Sequence, residues 1–254
     1  MRDTGARGGD RDRVTGTKGG GQASAHAHSP PVPDARVIPV ILALATRRAI
    51  CFDLDGTLAD SLPDIIGSFA ASLVEHGLPH PGDAPIRALV GLPLVDMFTA
   101  LAPTADIAAL SATYRRIYPT RFTQSSRPFD ESAEVLEQLR ARGYLLAVTT
   151  TKGSPVAREL VTALGLAEHL DHVQGTDGFP AKPAPDVIHR ALGELDADGT
   201  WMVGDTTHDI GAGRAAGLRT YAVCRPGATH DRDTLAAADP DHLEGSLLPL
   251  LDLV

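Results

Sequence analysis

The sequence predicts an α/β fold in which a parallel β-sheet is covered by helices on both faces. From Ala49 onward, short continuous apolar runs alternate with longer segments of helical period, and such runs are typical of strands that are buried on both faces. Helix start and stop residues separate these elements along the chain. The 254 residues are enough for one large domain with an insertion or for two smaller domains.

The N-terminal residues 1–36 differ in composition from the rest of the chain. Seven of the 25 glycines fall within residues 1–21, among Arg, Asp and Ser. We expect this segment to be a disordered extension, because it cannot bury enough apolar surface to offset the entropy lost on ordering. The apolar stretch 37–45 ends in Ala-Leu-Ala, which resembles a signal-peptidase site. The long preceding region and Pro39 disfavour secretion, so we expect a cytoplasmic protein.

The core elements follow in order. Asp130 and Ser154 are the predicted N-caps of two helices, which end before Gly143 and Gly165 respectively. A short closing helix is predicted at residues 247–253. The central strands are predicted at residues 49–54, 144–149, 200–205 and 219–224.

Residues 62–127, between the first two of these strands, show helical periodicity and no clear strand. The first helix of this block ends at Gly77. An insertion of this size predicts a separate small helical domain. Met97, Phe98, Tyr114 and Tyr118 are assigned to its core, and Arg115, Arg116 and Arg121 to a solvated helix face, with contact to a substrate carboxylate as the alternative for the arginines.

Charge and cysteine content limit the possible partners. A net charge of -9 argues against nucleic-acid binding, which needs a basic surface. No apolar run is long enough to span a membrane. Cys51 and Cys224 lie in apolar contexts without metal-binding spacing, and we expect both to be buried thiols. A small molecule is the expected partner, and a homodimer is left open.

Polar residues cluster where the predicted strands end. Ligands of a parallel sheet bind outside the carboxyl ends of its strands, so these side chains should converge. Four converging carboxylates need a compensating charge, and an all-oxygen ligand set is what Mg²⁺ prefers. The sequence therefore predicts a Mg²⁺ site that binds a phosphoryl group. Its residues are Asp53, Asp55, Thr150, Thr151, Asp205 and Asp209, with Lys182 as a further positive charge.

Four motifs resemble, in order, those of the haloacid dehalogenase superfamily. They are DLDGTLAD, the Thr150 position of VTTTK, Lys182 of KPAPD, and GDTTHD. The resemblance runs from Ala49 to the C-terminus and is greatest to the phosphoglycolate phosphatase-like subgroup. It implies a Rossmann-like catalytic core formed by residues 47–61 and 128–254, with residues 62–127 as a helical type-one cap.

The resemblance also implies a role for each polar residue. Asp53 would be the nucleophile that forms an aspartyl phosphate, and Asp55 the general acid and then the general base. Asp53, the backbone carbonyl of Asp55, and Asp205 would ligate Mg²⁺, with Asp209 supporting them. Thr150, Thr151 and Lys182 would hold the phosphoryl oxygens, together with backbone N–H groups around Gly56.

The implied function is a Mg²⁺-dependent phosphatase that acts on small, phosphoglycolate-like phosphate monoesters. Two alternatives stay open, a sugar-phosphate mutase of the same superfamily and a non-catalytic phosphate-binding protein. The chain departs from the subgroup at two positions: Thr151 stands where relatives often have Asn, and Glu131 where Gly is common.

Overall fold

The computed structural model describes residues 47–254. The expectations for the extension 1–36 and for the apolar stretch 37–45 lie outside the described residues. The strands are β1 (Arg48–Phe52), β2 (Ala59–Asp60), β3 (Arg127–Pro128), β4 (Leu145–Thr149), β5 (His172–Gln174), β6 (Asp198–Gly204), β7 (Arg219–Val223) and β8 (His242–Glu244). The helices are α1 (Leu62–Glu75), α2 (Asp83–Arg87), α3 (Leu94–Leu101), α4 (Ile107–Ile117), α5 (Ser132–Ala141), α6 (Ser154–Ala163), α7 (Asp186–Leu195), α8 (Thr207–Ala215) and α9 (Arg232–Ala237).

Six of these strands form one parallel sheet in the order β5-β4-β1-β6-β7-β8. The α/β prediction is confirmed, and the four predicted runs are the four central strands. The outer strands β5 and β8 were not predicted. Each has only three residues, which is too short to show a hydrophobic period.

The sheet buries side chains on both faces. Ile50 and Phe52 belong to the larger apolar cluster, and Ala49 and Cys51 belong to the smaller one, which packs against α7. Successive side chains of a strand point to opposite faces, so a strand covered on both sides must be apolar at every position. This explains why β1 reads as a continuous apolar run.

The helices α1 to α4 form an insert between β2 and β3. These two short strands pair antiparallel, with Ala59 opposite Pro128, so the chain leaves and re-enters the core at one place. The buried carboxylate of Asp64 accepts hydrogen bonds from the backbone N–H groups of Ser125 and Ser126 and from the hydroxyl of Ser126. These bonds tie α1 to the returning chain.

Aromatic side chains fill the inside of the insert. The rings of Phe69 and Phe98 stack with centroids 3.9 Å apart, and those of Tyr114 and Tyr118 stack at 5.3 Å. Met97 is buried beside them. The prediction that Met97, Phe98, Tyr114 and Tyr118 are core residues is confirmed.

Both predicted helix N-caps are wrong by one residue. The N-cap of α5 is Glu131 and not Asp130, and that of α6 is Gly153, so Ser154 is the first helical residue. The carboxylate of Asp177, from a distant loop, accepts the hydrogen bond of the Ser154 N–H. A tertiary contact thus performs the capping that was expected from a local side chain.

The predicted helix ends are confirmed, whereas the predictions for the closing helix and for the two cysteines are confirmed only in part. Gly143 and Gly165 follow α5 and α6 with φ of +84° and +71°, as expected for residues that end helices. The closing segment is a 3-10 helix, Leu248–Asp252. Cys51 is buried, but Cys224 is only partly buried. Within residues 47–254, no helix is long and apolar enough to cross a membrane.

Candidate active site

The acidic residues of the site follow the carboxyl ends of β1 and β6, which are neighbours in the sheet. Asp53 comes directly after β1, and its N–H donates to the carbonyl of Val203 in β6 over 2.8 Å. Asp205 comes directly after β6, and Asp209 lies in the first turn of α8. The sheet order therefore brings these side chains together, as the sequence predicted.

Three carboxylates form a buried acidic triad. Oxygens of Asp53, Asp205 and Asp209 all lie within 4.8 Å of one another. Their side chains are almost completely shielded from solvent, with residue exposures of 7%, 0% and 2%. Buried carboxylates this close repel one another unless a positive charge lies between them.

Lys182 supplies one such charge. Its Nζ donates to Oδ1 of Asp53 and to Oδ1 of Asp209, each over 2.6 Å, and to the carbonyl of Thr149 over 2.9 Å. Burial opposes the charged ammonium, but the two carboxylates outweigh burial and raise the pKa of Lys182. Asp209 is held further by a reciprocal capping box with Thr206 at the start of α8.

The charge of Lys182 does not compensate the triad fully. Burial, together with Asp209 and Asp55, raises the pKa of Asp53 from 3.8 to about 7, although Lys182 acts in the opposite direction. Burial and the charges of Asp53 and Asp209 raise the pKa of Asp205 well above its ordinary value. Without a further cation, the folded protein therefore disfavours the ionised form of both groups.

The triad has the composition and shape of a divalent-cation site. Oδ1 of Asp205 accepts a hydrogen bond from the Thr57 hydroxyl, whereas its Oδ2 is buried without a hydrogen-bond partner among residues 47–254. A buried oxygen without a partner is costly and needs a donor or an ion. The residues present fit a hard divalent ion, because all the side-chain donors are carboxylate oxygens.

Gly56 lies against this oxygen. It adopts a left-handed backbone conformation with φ +87°, and a Cβ at this position would lie 2.2 Å from Oδ2 of Asp205. Only glycine fits so close an approach without displacing the carboxylate. At position 56, the loop after β1 thus places no side chain against Oδ2 of Asp205.

The carboxylate of Asp55 lies outside the triad. It accepts a hydrogen bond from the Ser61 hydroxyl over 2.5 Å and pairs with Nζ of Lys152 over 3.2 Å. This leaves the backbone carbonyl of Asp55 as its predicted metal ligand. The side-chain partners of Asp55 are therefore a hydroxyl and an ammonium.

Sequence reasoning missed Lys152 as a site residue. Its Nζ also donates to the Tyr118 hydroxyl over 3.2 Å and lies 4.4 Å from the centre of that ring. Burial opposes its charge, but Asp55 outweighs burial and raises the pKa of Lys152. The available signal was its place directly after Thr150 and Thr151. Its partners, however, lie in β1's loop and in the insert, and only the fold identifies them.

The two threonines of this loop have different environments. Thr150 is buried, and its hydroxyl accepts a hydrogen bond from the backbone N–H of Lys152 over 3.2 Å. Thr151 is half-buried and lines a cavity of about 530 Å³. Asp55, Lys152 and Tyr118 also line this cavity, which lies between the insert and the loops after β4 and β5.

Comparison with known proteins decides the family. The model of the haloacid dehalogenase-like hydrolase family matches residues 50–223. The chain belongs to this family. The sequence resemblance is thereby confirmed, and the matched region contains the triad, Lys182 and the whole insert.

Three relatives of this hydrolase are named as phosphatases. It is 32% identical to pyrophosphatase PpaX from Halalkalibacterium halodurans, over 82% of this chain and 96% of the relative. It is 35% identical to N-acetylmuramic acid 6-phosphate phosphatase from Pseudomonas putida, over 73% of this chain and 86% of the relative. It is 30% identical to phosphoglycolate phosphatase from Vibrio parahaemolyticus, over 82% of this chain and 96% of the relative.

A solved structure has the same fold. This is the haloacid dehalogenase-like family protein SP0104 from Streptococcus pneumoniae, with a TM-score of 0.73 and 29% identity. The similarity covers 82% of this chain and 98% of that protein.

Proposed function

We propose that this hydrolase is a Mg²⁺-dependent phosphatase that hydrolyses phosphate monoesters of small organic molecules through an aspartyl phosphate on Asp53. The observation that carries the proposal is the buried triad, in which Asp53 pairs with the Lys182 ammonium and Asp205 has a buried oxygen without a hydrogen-bond partner among residues 47–254. Family membership and the phosphatase names of the relatives support it.

The metal site would consist of Asp53, Asp205, the backbone carbonyl of Asp55, and Asp209 as a supporting residue. A bound Mg²⁺ would supply positive charge that compensates the triad and the phosphoryl oxygens. The fit rests on the all-carboxylate side-chain donors and on the raised pKa of Asp53 and Asp205. Mg²⁺ prefers such hard oxygen ligands.

The proposed reaction has two chemical steps, in which Asp53 and Asp55 take part. A carboxylate oxygen of Asp53 attacks phosphorus, the bond from phosphorus to the ester oxygen breaks, and that oxygen takes a proton from Asp55. Water then attacks the aspartyl phosphate while Asp55 takes its proton, and the bond from phosphorus to Asp53 breaks to release inorganic phosphate. Asp55 regains the proton that it lost, so it is unchanged over the cycle.

The contacts of Asp55 suit a group that changes its protonation state. A hydroxyl can donate or accept, so Ser61 remains a hydrogen-bond partner whether Asp55 carries the proton or not. Lys152 pairs with the other oxygen and fixes its position. We therefore assign Ser61 and Lys152 as positioning residues that act through Asp55.

The remaining residues would bind the phosphoryl group. Lys182 lies next to Asp53 and would shift toward the phosphoryl oxygens when Mg²⁺ compensates the carboxylates. Thr150, Thr151 and the backbone around Gly56 would provide further donors. We further propose that residues 62–127 act as a cap over the core of residues 47–61 and 128–254, and that its closure excludes water.

Release of inorganic phosphate tests this function. We expect turnover of a panel of phosphate monoesters, starting with phosphoglycolate, that requires Mg²⁺ and stops with a chelator. Asp53→Asn should abolish turnover without unfolding the protein, whereas Asp60→Asn, which changes an exposed aspartate of β2, should retain it. Bisphosphate-primed interconversion of sugar phosphates with little phosphate released would instead indicate the mutase, and phosphate binding without turnover would indicate the non-catalytic protein.

A further inference from the structure

We propose that the natural leaving group is an apolar alcohol that is larger than glycolate, so that the substrate is the phosphate monoester of an alcohol with a hydrocarbon body. This inference rests on the proposed function and specifies its substrate class. It comes from the size, the lining and the charges of the cavity beside Asp55.

The position of the cavity indicates that it holds the leaving alcohol. Asp55 lies in its wall, and this residue would protonate the oxygen of the leaving alcohol. The rest of the alcohol must therefore extend from Asp55 into the cavity. Its volume of about 530 Å³ lies within the range of about 300–1,000 Å³ that is typical of sites for larger organic ligands. Glycolate, a two-carbon acid, would leave most of this space unfilled.

The wall of the cavity is mainly apolar. Leu92, Leu94 and Val95 of the insert line one side, and Val156 of α6 lines the other. Leu92, Leu94 and Val156 are only half-buried, and Val95 is 47% exposed. These side chains thus present apolar surface to the cavity, which an apolar leaving group would remove from water.

The charged groups of the wall offer little to a second anion. Lys152 is paired with Asp55, and the carboxylate of Asp177 accepts the hydrogen bonds of the Ser154 N–H. Arg115 is exposed and forms no ion pair within the described part of the chain. The carboxylate of glycolate would therefore meet one solvated arginine in a wall where Lys152 is already paired and Asp177 would repel it, which favours an uncharged alcohol.

A homologous series of alkyl phosphates tests this inference. Ethyl, butyl and hexyl phosphate all release a primary alcohol, so the chemistry at the ester oxygen is matched and only the apolar length changes. We expect kcat/KM to rise about threefold to fourfold per added methylene that is buried, or about a hundredfold from ethyl to hexyl phosphate. Phosphoglycolate should be hydrolysed no faster than ethyl phosphate. A flat series, or phosphoglycolate well above hexyl phosphate, would overturn the proposal.

A pair of variants tests the location of the effect. Val95→Asn should lower the ratio of kcat/KM for hexyl phosphate to kcat/KM for ethyl phosphate by at least threefold. Val74→Asn is the matched control, because Val74 is also exposed, at 59%, but does not line the cavity. If kcat/KM depended equally on alkyl chain length in both variants, Val95 would not contact the leaving group.

Binding measurements separate this inference from the proposed function. Alkylphosphonates have no ester bond to hydrolyse, so calorimetry can measure their affinity in the presence of Mg²⁺ without turnover. Affinity that rises with chain length supports the apolar cavity, and affinity independent of chain length refutes it. Absence of phosphate release from every ester would refute the phosphatase function, while the phosphonate series would still decide the nature of the cavity.

Discussion

Replacement of Gly56 by alanine should inactivate the protein far more than it destabilises it. The new Cβ would lie 2.2 Å from Oδ2 of Asp205, whereas ordinary contact begins near 3.4 Å, so one of the two must move by more than 1 Å. A misplacement of about 1 Å can reduce turnover by about 10²-fold. We therefore expect kcat to fall by about 100-fold or more, and the affinity for Mg²⁺ to fall with it.

A second glycine separates this clash from simple backbone strain. Gly77 also has a left-handed backbone, with φ +71°, but a Cβ there would meet no heavy atom of the described part of the chain within 4 Å. Gly77→Ala should lower the free energy of unfolding by roughly 1–2 kcal/mol, the cost of a left-handed alanine, and retain full activity. Gly56→Ala adds the displacement of Asp205 to the same backbone cost.

Three measurements compare the two variants: phosphate release, urea denaturation, and the rise in Tm on addition of Mg²⁺. The predicted result is loss of turnover and of the Mg²⁺ response in Gly56→Ala alone. If Gly56→Ala matched Gly77→Ala in all three, the assignment of Asp205 as a metal ligand held close to Gly56 would be wrong.

Three further predictions concern single side chains. The pKa of Asp53 is raised from 3.8 to about 7 in the metal-free protein, so the stability from this group is full below about pH 4 and is lost as the pH rises to 7. Asp53→Asn should remove this pH dependence of the free energy of unfolding and make the metal-free protein more stable at pH 8 by about 1–3 kcal/mol. Urea denaturation in the presence of a chelator measures it, and an unchanged pH dependence would contradict the prediction. Lys152→Met should lower kcat/KM by about 10–100-fold with an unchanged circular dichroism spectrum, because Asp55 loses an ionic hydrogen bond; unchanged kinetics would refute its positioning role. Asp64→Ala should lower the free energy of unfolding by about 2–4 kcal/mol, since its partners in the returning chain lose a buried acceptor. Asp60→Ala, at an exposed position, should change that free energy by no more than about 0.5 kcal/mol, and equal effects would refute the role of Asp64.

The predicted elements that were confirmed depend on local patterns. The central strands appear as continuous apolar runs because both faces of the sheet are covered, and α5 and α6 end before glycines with positive φ. The strands β5 and β8 were not predicted, because a strand of three residues is too short to show a hydrophobic period. The N-cap of α6 was misplaced because Asp177, which is distant in sequence, caps the helix.

The acidic part of the site followed from the sequence for a similar reason. Asp53 and Asp205 each come directly after an apolar run, and the strands β1 and β6 are parallel neighbours whose carboxyl ends coincide. Ser61 and Lys152 could not be identified in this way. Ser61 follows β2, which is not part of the parallel sheet, and Lys152 lies beyond the two threonines that follow β4. Each gains its significance from a contact with one oxygen of Asp55.

The sequence by itself determined the α/β class, the helical insert between the first two central strands, and the group of acids at the strand ends. Each of these features depends on residues that are adjacent or periodic along the chain. Only the tertiary structure decided which charges meet. Lys182 contacts Asp53 across 129 residues, and Lys152 joins Asp55 to Tyr118 of the insert. Such contacts depend on the order of strands in the sheet and on how the insert packs over it, and these are set by the burial of the whole core, which no local pattern specifies.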